Sequence, residues 1–478
     1  MNILQFLLLS PLLVISATAT LLLLLVAFFR RHALTAFFCF AGLNLALLAT
    51  AVAAINAPDT VTEVLVVDHY SCYFTALMII ATLASCTFAA SWLTQKTGQR
   101  EELYILMLLS LAGGIVLVSA QHFAALFIGL EMLSIPMYGL IAYSLQHSRS
   151  LEAGIKYLVL STTGSALMLF GIALIYAQFG SLSYAALGEQ WAAMNNNYPA
   201  LMLVGIMLVV IAFAFKLSLV PFHLWTPDVY EGAPAPVGAF LATTAKLAVA
   251  GALLRLVAQL PAFGHESLHA ALSMVAGLSI IAGNLLAMLQ TNIKRLLGYS
   301  SIAHFGYLMI AITALSPSLT PAAYMVYLFA YVLASLAAFG VITYLSAINC
   351  DAAAQDADSL YHYRGLYWRH PVLAIVMTIA LLSLAGIPAT IGFIGKLYVI
   401  LAAIGSNLWW LLGTLVVGSA ISLYYYLRVM VSLYLEPTTD IIPAPSGWGY
   451  LLSTTVLILL AALITLLGLF PDALFEIM

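Results

Sequence analysis

Long apolar runs, separated by short polar or Pro/Gly-containing segments, follow one another through this chain of 478 residues. The runs 21–29, 201–215 and 451–470 contain no charged residue. A helix needs about 20 predominantly apolar residues to cross a hydrocarbon core of about 30 Å. The alternation of period two that is typical of membrane β-barrels is absent from the sequence. The pattern therefore predicts an all-α protein whose main solvent is lipid.

The composition supports the same fold class. Charged residues make up 7% of the chain, against roughly 25% in an ordinary soluble domain. The punctuation predicts a polytopic bundle of about fourteen transmembrane helices, in a single membrane domain 1–478 without a linker. The predicted spans, numbered in order, are 3–29, 33–55, 70–94, 102–119, 122–144, 152–178, 199–224, 235–258, 268–289, 296–314, 321–348, 371–403, 409–434 and 449–470.

The basic loop residues predict the orientation. With fourteen spans, all nine basic loop residues fall on one side of the membrane. The opposite loops 56–69, 179–198, 259–267 and 315–320 contain no basic residue. Because basic loops stay in the cytoplasm, we expect both termini to be periplasmic. Arg255, near the other end of its span, is the mild exception. The nine residues are Arg30, Arg31, Lys96, Arg100, Arg149, Lys294, Arg295, Arg364 and Arg369.

Two spans are predicted to be broken. Segment 216–225 contains Pro221, and segment 382–396 contains Gly386 and Pro388, and each has a Leu-Ser-Leu sequence at its start. Proline removes a backbone donor and clashes with the preceding turn, and such breaks occur where protein or water satisfies the freed carbonyls. The breaks fall in spans seven and twelve. An odd offset between equivalent helices indicates inverted repeats.

Several ionisable residues fall inside the predicted spans. Each costs about 2.5–3.5 kcal/mol to insert at a helix centre, so they are the candidates for function. Glu131 is the one acid near the middle of a span, and Arg255 and Arg428 lie near span ends, where a structural role is favoured. Four lysines complete the set: Lys156, Lys216, Lys246 and Lys396.

A lysine inside a membrane suits proton transfer. Desolvation disfavours an ammonium ion, whereas a nearby carboxylate favours it, so moving a Glu–Lys pair together or apart can load or unload the lysine. His223, beyond Pro221, and His304, in the sequence SSIAHFGY, are candidate relays. The alternatives remain open: Glu131 as a structural ion pair, lysines that extend to the membrane surface, and histidines that only bond freed carbonyls.

Other features exclude function classes. The net charge of −3 gives no electrostatic reason to bind nucleic acid. No metal-ligand spacing and no Gly-rich phosphate loop is present, and the scattered cysteines Cys39, Cys72, Cys86 and Cys350 are interpreted as small core side chains. Tyr424–Tyr426, near a span end, are interpreted as interfacial anchors.

Three segments carry a resemblance to a known family. KLSLVPFHLWTPDVYEGAPAPV (216–237), QTNIKRLLGYSSIAHFGYL (290–308) and LSLAGIPATIGFIGKLYV (382–399) closely resemble the antiporter-like membrane subunits of respiratory complex I, the NADH-quinone oxidoreductase. The resemblance covers essentially the whole chain. It implies a fourteen-helix fold with N-terminal spans one to three in 1–100, a first inverted repeat in 102–258, a second in 268–435, and span fourteen in 449–470.

The resemblance also implies roles. By motif, the family's input pair falls on Glu131 and Lys216, its central lysine on Lys246 and its outlet on Lys396. The chain would then move protons across a bacterial inner membrane, coupled to electron transfer from NADH to quinone. FMN, iron–sulfur clusters and quinone are expected in partner subunits, and no cofactor is expected here. The candidate proton-transfer residues are Glu131, Lys216, Lys246 and Lys396, with His223, His304 and Lys156 as further relays.

Two other interpretations remain. The chain could belong to a multisubunit Na⁺/H⁺ antiporter or a membrane hydrogenase, in which case the co-purifying chains would identify it. It could also be a structural membrane scaffold, whose buried charges only hold helices together.

Overall fold

The computed structural model describes residues 3–57, 59–94, 101–145, 147–194, 198–314, 319–348, 356–437 and 447–472. Lys96, Arg100 and Cys350 of the sequence argument lie outside these ranges. Cys39 and Cys86 are fully buried and Cys72 nearly so.

Helices dominate the described part of the chain, as expected where a backbone has no water to bond with. They are α1 Ile3–Leu8, α2 Ser10–Phe28, α3 His32–Asn56, α4 His69–Leu93, α5 Glu102–Val118, α6 Phe123–Ile141, α7 Ser148–Phe179, α8 Tyr184–Ala192, α9 Ala200–Lys216, α10 Trp225–Gly232, α11 Ala235–Phe240, α12 Lys246–Gln259, α13 Glu266–Met288, α14 Ile293–Ala314, α15 Leu319–Ile348, α16 Leu366–Arg369, α17 Pro371–Ala385, α18 Ile391–Gly405, α19 Trp409–Tyr434 and α20 Trp448–Leu469. A π-helical turn, Leu241–Ala245, joins α11 to α12 in one continuous helix, and 3₁₀ turns lie at Pro261–Gly264 and Leu360–Tyr363.

The helices match the predicted spans. Among the described residues, eleven are long and apolar enough to cross a membrane, and α5, α9, α17 and α18 are shorter apolar helices. Each overlaps one predicted span, with α17 and α18 sharing the twelfth. The all-α membrane fold is confirmed, whereas the number of fourteen crossings stays a prediction.

Both segments with predicted breaks contain a helix end. α9 ends at Lys216 and α10 begins at Trp225, with Ser218 between them in the left-handed region at a φ of 65°. α17 ends at Ala385, and the following Gly386 has a φ of 80°, which a glycine adopts without strain. A Cβ at Gly386 would lie 2.6 Å from Cδ of Lys396. The second interruption therefore brings the backbone against a lysine.

The helices form an inner and an outer set. All residues in the most apolar stretch of helix Ala235–Gln259 are buried, and 94% of those in α14 are, against 28% in α20 and 33% in α2. The continuous helix and α14 thus occupy the interior, and α2 and α20 face outward. Three of the candidate residues, Lys246, His304 and Lys396, lie on or against the inner set.

One small element was not predicted. Strands β1 (Asp59–Thr62) and β2 (Leu65–Val67) form an antiparallel hairpin in the predicted loop before α4. Asp68 follows the hairpin and caps α4, accepting from the backbone N–H of Ser71 at 2.8 Å. Its carboxylate also bonds the Arg255 guanidinium at 2.7 and 3.0 Å. The hairpin is thereby tied to α12.

Candidate functional site

Three lysines predicted from the sequence are buried in the protein. The exposed fraction is 5% for Lys216, 2% for Lys246 and 6% for Lys396. They lie at the end of α9, at the start of α12 and in α18. Among the described residues, no carboxylate approaches any of the three ammonium groups within 4.0 Å. Their partners are neutral oxygen atoms.

Lys216 is held by two serines from neighbouring helices. Its Nζ donates to Oγ of Ser134 at 2.7 Å, on α6, and to Oγ of Ser161 at 2.6 Å, on α7. The Tyr157 ring centroid lies 5.6 Å from the same Nζ, and the hydroxyl of Tyr138 donates to Ser161 at 3.1 Å. Serines on two separate helices therefore connect α9 to the first half of the bundle.

Glu131 does not contact Lys216 directly. Its Oε1 accepts a hydrogen bond from Ser165, which lies four residues after Ser161 on α7. Residues four apart on a helix are neighbours on one face, so two serines of α7 separate the carboxylate from the ammonium. Glu131 is only partly buried. The two members of the expected input pair are thus close to a common helix face but form no ion pair with each other.

Lys246 follows the π-helical turn directly. Its Nζ donates to Oγ of Ser301 at 2.7 Å, and Ser301 shares a hydrogen bond of 2.7 Å with the Tyr331 hydroxyl. The Phe305 and Tyr230 rings lie 4.6 and 5.8 Å from the ammonium. Single π-helical turns occur frequently at functional sites. Rings and hydroxyls therefore surround this lysine on the innermost helices.

His304 lies in a hydroxyl network one turn further along α14. Its Nδ1 lies 2.6 Å from the Tyr327 hydroxyl and its Nε2 3.2 Å from the Tyr426 hydroxyl. Tyr426 also bonds Ser300. The assignment of Tyr424–Tyr426 as interfacial anchors is wrong for Tyr425 and Tyr426, which are fully buried because α19 packs against α13 and α14. Tyr424 is exposed.

Lys396 bonds to the end of α17, at the second helix interruption. Its Nζ donates to the carbonyl of Ala385 at 2.7 Å and to Oγ of Ser419 at 3.3 Å. Ala385 is the last residue of α17, so its carbonyl has no partner further along that helix. A small cavity beside Lys396 is also lined by His304, Tyr327 and Ser383. Lys396 and His304 therefore border the same cavity.

His223 lies in the segment between α9 and α10. It is largely buried, but its neighbours Pro221 and Leu224 are exposed, so this segment lies at the outer surface of the chain. Within the described residues its Nδ1 has no hydrogen-bond partner. Among the described residues, no hydrogen bond links His223 to Lys216 or to Lys246. Its expected role as a relay between them stays a prediction.

Lys156 lies in a network of charges at the end of the bundle that carries the basic loops. Its Nζ pairs with Glu152 at 2.7 Å and with Asp228 at 2.8 Å, and Asp228 also pairs with Arg295 at 2.8 Å. Burial acts to raise the pKa of the Asp228 carboxyl, but its bonds to Lys156 and Arg295 outweigh burial and hold that pKa below its usual value. Glu231 and Arg149 line the same polar cavity.

Sequence reasoning missed the hydroxyl partners. Ser134 and Ser161 at Lys216, and Ser301 and Tyr331 at Lys246, come from helices distant in the sequence. For Ser301, the sequence did contain a signal. Ser301 precedes His304 by three residues in SSIAHFGY, which places both on one face of a helix.

The comparison with known families decides the family of the chain. Residues 120–422 match the family model described as NADH:quinone oxidoreductase/Mrp antiporter, TM. The chain belongs to the NADH:quinone oxidoreductase/Mrp antiporter family. All candidate residues, from Glu131 to Lys396, fall inside the matched range.

Relatives within this family match over nearly the whole chain. NADH-quinone oxidoreductase subunit N of Ectopseudomonas mendocina (strain ymp) is 52% identical over 475 residues, which cover 98% of this chain and 95% of that protein. A chain of respiratory complex I from Thermus thermophilus with bound aureothin is 32% identical, with a TM-score of 0.81 and 97% of each chain covered.

Two more distant structures share the fold alone. A chain of the membrane-bound sulfane sulfur reductase, an archaeal respiratory membrane complex, is 24% identical with a TM-score of 0.88, covering 99% of this chain and 96% of that one. A chain of the Mrp complex from Dietzia sp. DQ12-45-1b is 22% identical with a TM-score of 0.85, covering 100% and 96%. The family fold thus serves several kinds of membrane complex.

Proposed function

We propose that this chain is a proton-translocating membrane subunit of an NADH:quinone oxidoreductase. The observation that carries the proposal is the set of three buried lysines, Lys216, Lys246 and Lys396, each bonded to neutral oxygens. The similarity to an NADH-quinone oxidoreductase subunit N, at 52% identity over 98% of the chain, supports the choice of complex.

The neutral partners favour proton transfer over a scaffold role. A scaffold would neutralise buried charges in pairs, since an unpaired charge in the membrane is costly. An ammonium bonded only to hydroxyl and carbonyl oxygens can release its proton, whereas one bonded to a carboxylate is held in the charged form. The three lysines belong to the first kind.

The proposed route follows the order of the helices. Protons would be taken up on the side of the basic loops near Glu131 and Lys216, pass to Lys246, and leave near Lys396. The hydroxyl network of His304 lies between Lys246 and Lys396, because His304 neighbours Ser301 on α14 and borders the cavity of Lys396. Lys156 and His223 are secondary relay candidates. The orientation, with periplasmic termini in a bacterial inner membrane, rests on the basic loops.

Partner subunits follow from the proposal. The redox groups, FMN, iron–sulfur clusters and quinone, would be held by other chains. The position of Glu131 is evidence for a neighbouring membrane subunit. This partly exposed residue lies mid-helix beside the exposed side chains of Ile128 and Ile135. A carboxylate in contact with lipid is costly, so we infer that another membrane subunit covers this face.

We also propose that segments 102–258 and 268–435 are inverted repeats. Isolated antiparallel bridges pair His122 with Ser183 and Asn292 with Ser359, directly before α6 and α14. In both cases the side chain of the first residue, His122 or Asn292, accepts from the backbone N–H two positions later. The same local arrangement thus precedes spans five and ten, which have the offset of five spans found between the two breaks.

Replacement of Lys246 tests the proposed function. Lys246→Ala should abolish or sharply reduce proton pumping in an assembled complex, measured as protons moved per electron in proteoliposomes supplied with NADH and quinone. Leu247→Ala is the matched control, because it shortens a fully buried neighbour on the same helix without removing a titratable group.

The outcomes separate the alternatives. Unchanged pumping by assembled Lys246→Ala would refute the role of Lys246. A scaffold predicts that Lys216→Met or Glu131→Gln changes assembly or stability but not the protons moved per electron. Purification without any NADH dehydrogenase subunit would favour a cation antiporter.

A further inference from the structure

The short helix α10 lies between two of the buried lysines. At its first residue, the indole N–H of Trp225 donates to the carbonyl of Phe215, beside Lys216, at 3.0 Å. The Trp225 ring packs at 4.9 Å on Tyr157, whose ring is the neighbour of the Lys216 ammonium. Near its end, the Tyr230 ring lies 5.8 Å from Nζ of Lys246. One helix of eight residues therefore reaches both lysine sites.

Two hydroxyls of α10 are fully buried. Thr226 has an exposed fraction of 0%, and its side-chain oxygen forms no hydrogen bond with any described residue. Tyr230 is also fully buried; its hydroxyl forms no well-aligned hydrogen bond with a described residue, but it lies beside the hydroxyls of Ser301 and Tyr331. The adjacent helix is different. Thr243 donates to the carbonyl of Ala239 at 2.6 Å, and Tyr324, packed against that helix, donates to the carbonyl of Ala250 at 3.0 Å. What distinguishes Thr226 and Tyr230 is their position between the two lysine sites, because several other buried hydroxyls also lack a partner among the described residues: Tyr73, Tyr143, Tyr184, Ser218 and Ser273.

Buried hydroxyls without protein partners indicate water. An unsatisfied buried polar group costs about 1–3 kcal/mol, and buried waters bond to such groups with about three hydrogen bonds each. Thr226 and Tyr230 are four residues apart, so their Cβ atoms lie about 5–6 Å apart on one helix face. A single water between two such oxygens bridges about this distance, since each hydrogen bond spans about 2.8 Å.

We propose that Thr226 and Tyr230 hold the waters that pass a proton from the Lys216 site to Lys246. The ammonium of Lys216 gives up one proton and becomes a neutral amine. Each hydroxyl along the route accepts a proton from one neighbouring oxygen and releases its own to the next, so neither Thr226 nor Tyr230 changes its net charge. The neutral amine of Lys246 takes the last proton and becomes an ammonium bonded to Ser301. This inference rests on the proposed function. It names Thr226 and Tyr230 as the residues of the transfer step from Lys216 to Lys246.

The position of His223 supports this route. The segment around His223 lies at the outer surface, next to Leu224, whose exposed fraction is 73%. Thr226 and Tyr230 are instead fully buried, and α10 packs against α14, which carries Ser301. The hydroxyl face of α10 thus lies in the interior, against the helix that carries Ser301, whereas His223 lies beside an exposed segment.

Matched substitutions test the inference in the whole complex. Thr226→Val and Tyr230→Phe remove one hydroxyl each while they keep the volume of the side chain. Each should reduce the protons moved per electron, and the double variant should fall to the value of Lys246→Ala. Thr226→Ser should restore wild-type pumping, because it keeps the hydroxyl.

The controls use hydroxyls that have protein partners. Thr243→Val and Tyr324→Phe make the same chemical changes in equally buried positions and should leave the protons moved per electron at the wild-type value. Assembly is compared by native electrophoresis for every variant. A loss in the controls as large as that in Thr226→Val and Tyr230→Phe would assign the effect to packing and overturn the inference.

The failure of this inference differs from the failure of the proposed function. If Lys246→Ala does not pump but the Thr226→Val/Tyr230→Phe double variant pumps like the wild type, the inference is wrong and the function stands. If Lys246→Ala itself pumps normally, the proposed function is wrong as well.

Discussion

Buried charges in this protein have two kinds of partner. The three lysines of the interior bond to serine hydroxyls and backbone carbonyls. Arg255, also buried, instead makes two bonds to the carboxylate of Asp68 and one to the carbonyl of Val118. An arginine fork matched by a carboxylate is the arrangement of a structural ion pair. The pair also explains why Arg255 departs from the loop charge pattern.

Asp68 gives a prediction at the scale of one residue. Burial acts to raise the pKa of its carboxyl, but the hydrogen bonds and the charge of Arg255 outweigh burial and hold that pKa below its usual value. Asp68→Asn should lower the free energy of unfolding at pH 7 by about 3 kcal/mol, because it leaves a buried arginine unpaired. The helix cap remains, since asparagine caps as well as aspartate.

The pH dependence of this effect has a defined sign. A carboxyl whose folded pKa is depressed stabilises the fold fully above its unfolded pKa of about 4, and this contribution is lost as the pH falls through the folded pKa. The unfolding midpoints of wild type and Asp68→Asn, measured in detergent, should therefore differ at pH 7 and converge toward pH 3. An equal difference at both pH values would mean that the variant acts through packing instead.

At the scale of elements, helix ends fall inside both segments for which the sequence predicts a break. Pro221 and Gly386 disfavour a continuous helix by their own covalent structure, so this tendency is visible in the sequence. The partners of the lysines were not, because Ser161 and Ser301 each meet a lysine 55 positions away through tertiary packing. The hairpin before α4 was missed since its strands of four and three residues are too short for a periodic pattern.

The second interruption gives a prediction about its glycine. Gly386→Ala should reduce the protons moved per electron, because the new Cβ would lie 2.6 Å from Cδ of Lys396 and displace the lysine. The φ of 80° adds strain of about 1–3 kcal/mol for a residue other than glycine. The measurement is pumping by the assembled complex together with its thermal midpoint.

Gly413→Ala provides the control for this glycine. Gly413 lies inside α19, and a Cβ there meets nothing within 4 Å. Alanine is favoured over glycine in a helix interior by about 1 kcal/mol, so this variant should keep full pumping with equal or higher thermal stability. If Gly386→Ala kept the same pumping and thermal stability as Gly413→Ala, the close approach of Gly386 to Lys396 would not matter for function.

At the scale of the whole molecule, one charge network joins the two proposed repeats. Arg295, on α14 of the second segment, pairs at 2.8 Å with both Asp228 and Glu231 of α10 in the first. Asp228 is shared with Lys156, and Glu231 with Arg149 at 3.3 Å. The acidic face of α10 is thus fixed to both halves, while its hydroxyl face carries Thr226 and Tyr230. The position of this helix depends on contacts that cross the molecule.

Removal of Arg295 should loosen α10. Arg295→Gln removes a cation that bonds two carboxylates through one nitrogen, so amide hydrogen exchange of residues 225–232 should become faster and pumping should decrease. Arg149→Gln is the control, because Arg149 is 57% exposed and makes a single contact of 3.3 Å with Glu231, a type of pair worth less than about 1 kcal/mol. Arg295→Lys keeps the charge but loses the bond from Nε to Gln290 and should lie between the two. Equal exchange in Arg295→Gln and Arg149→Gln would show that α10 is held by its apolar packing, and that its hydroxyl face does not depend on the second half.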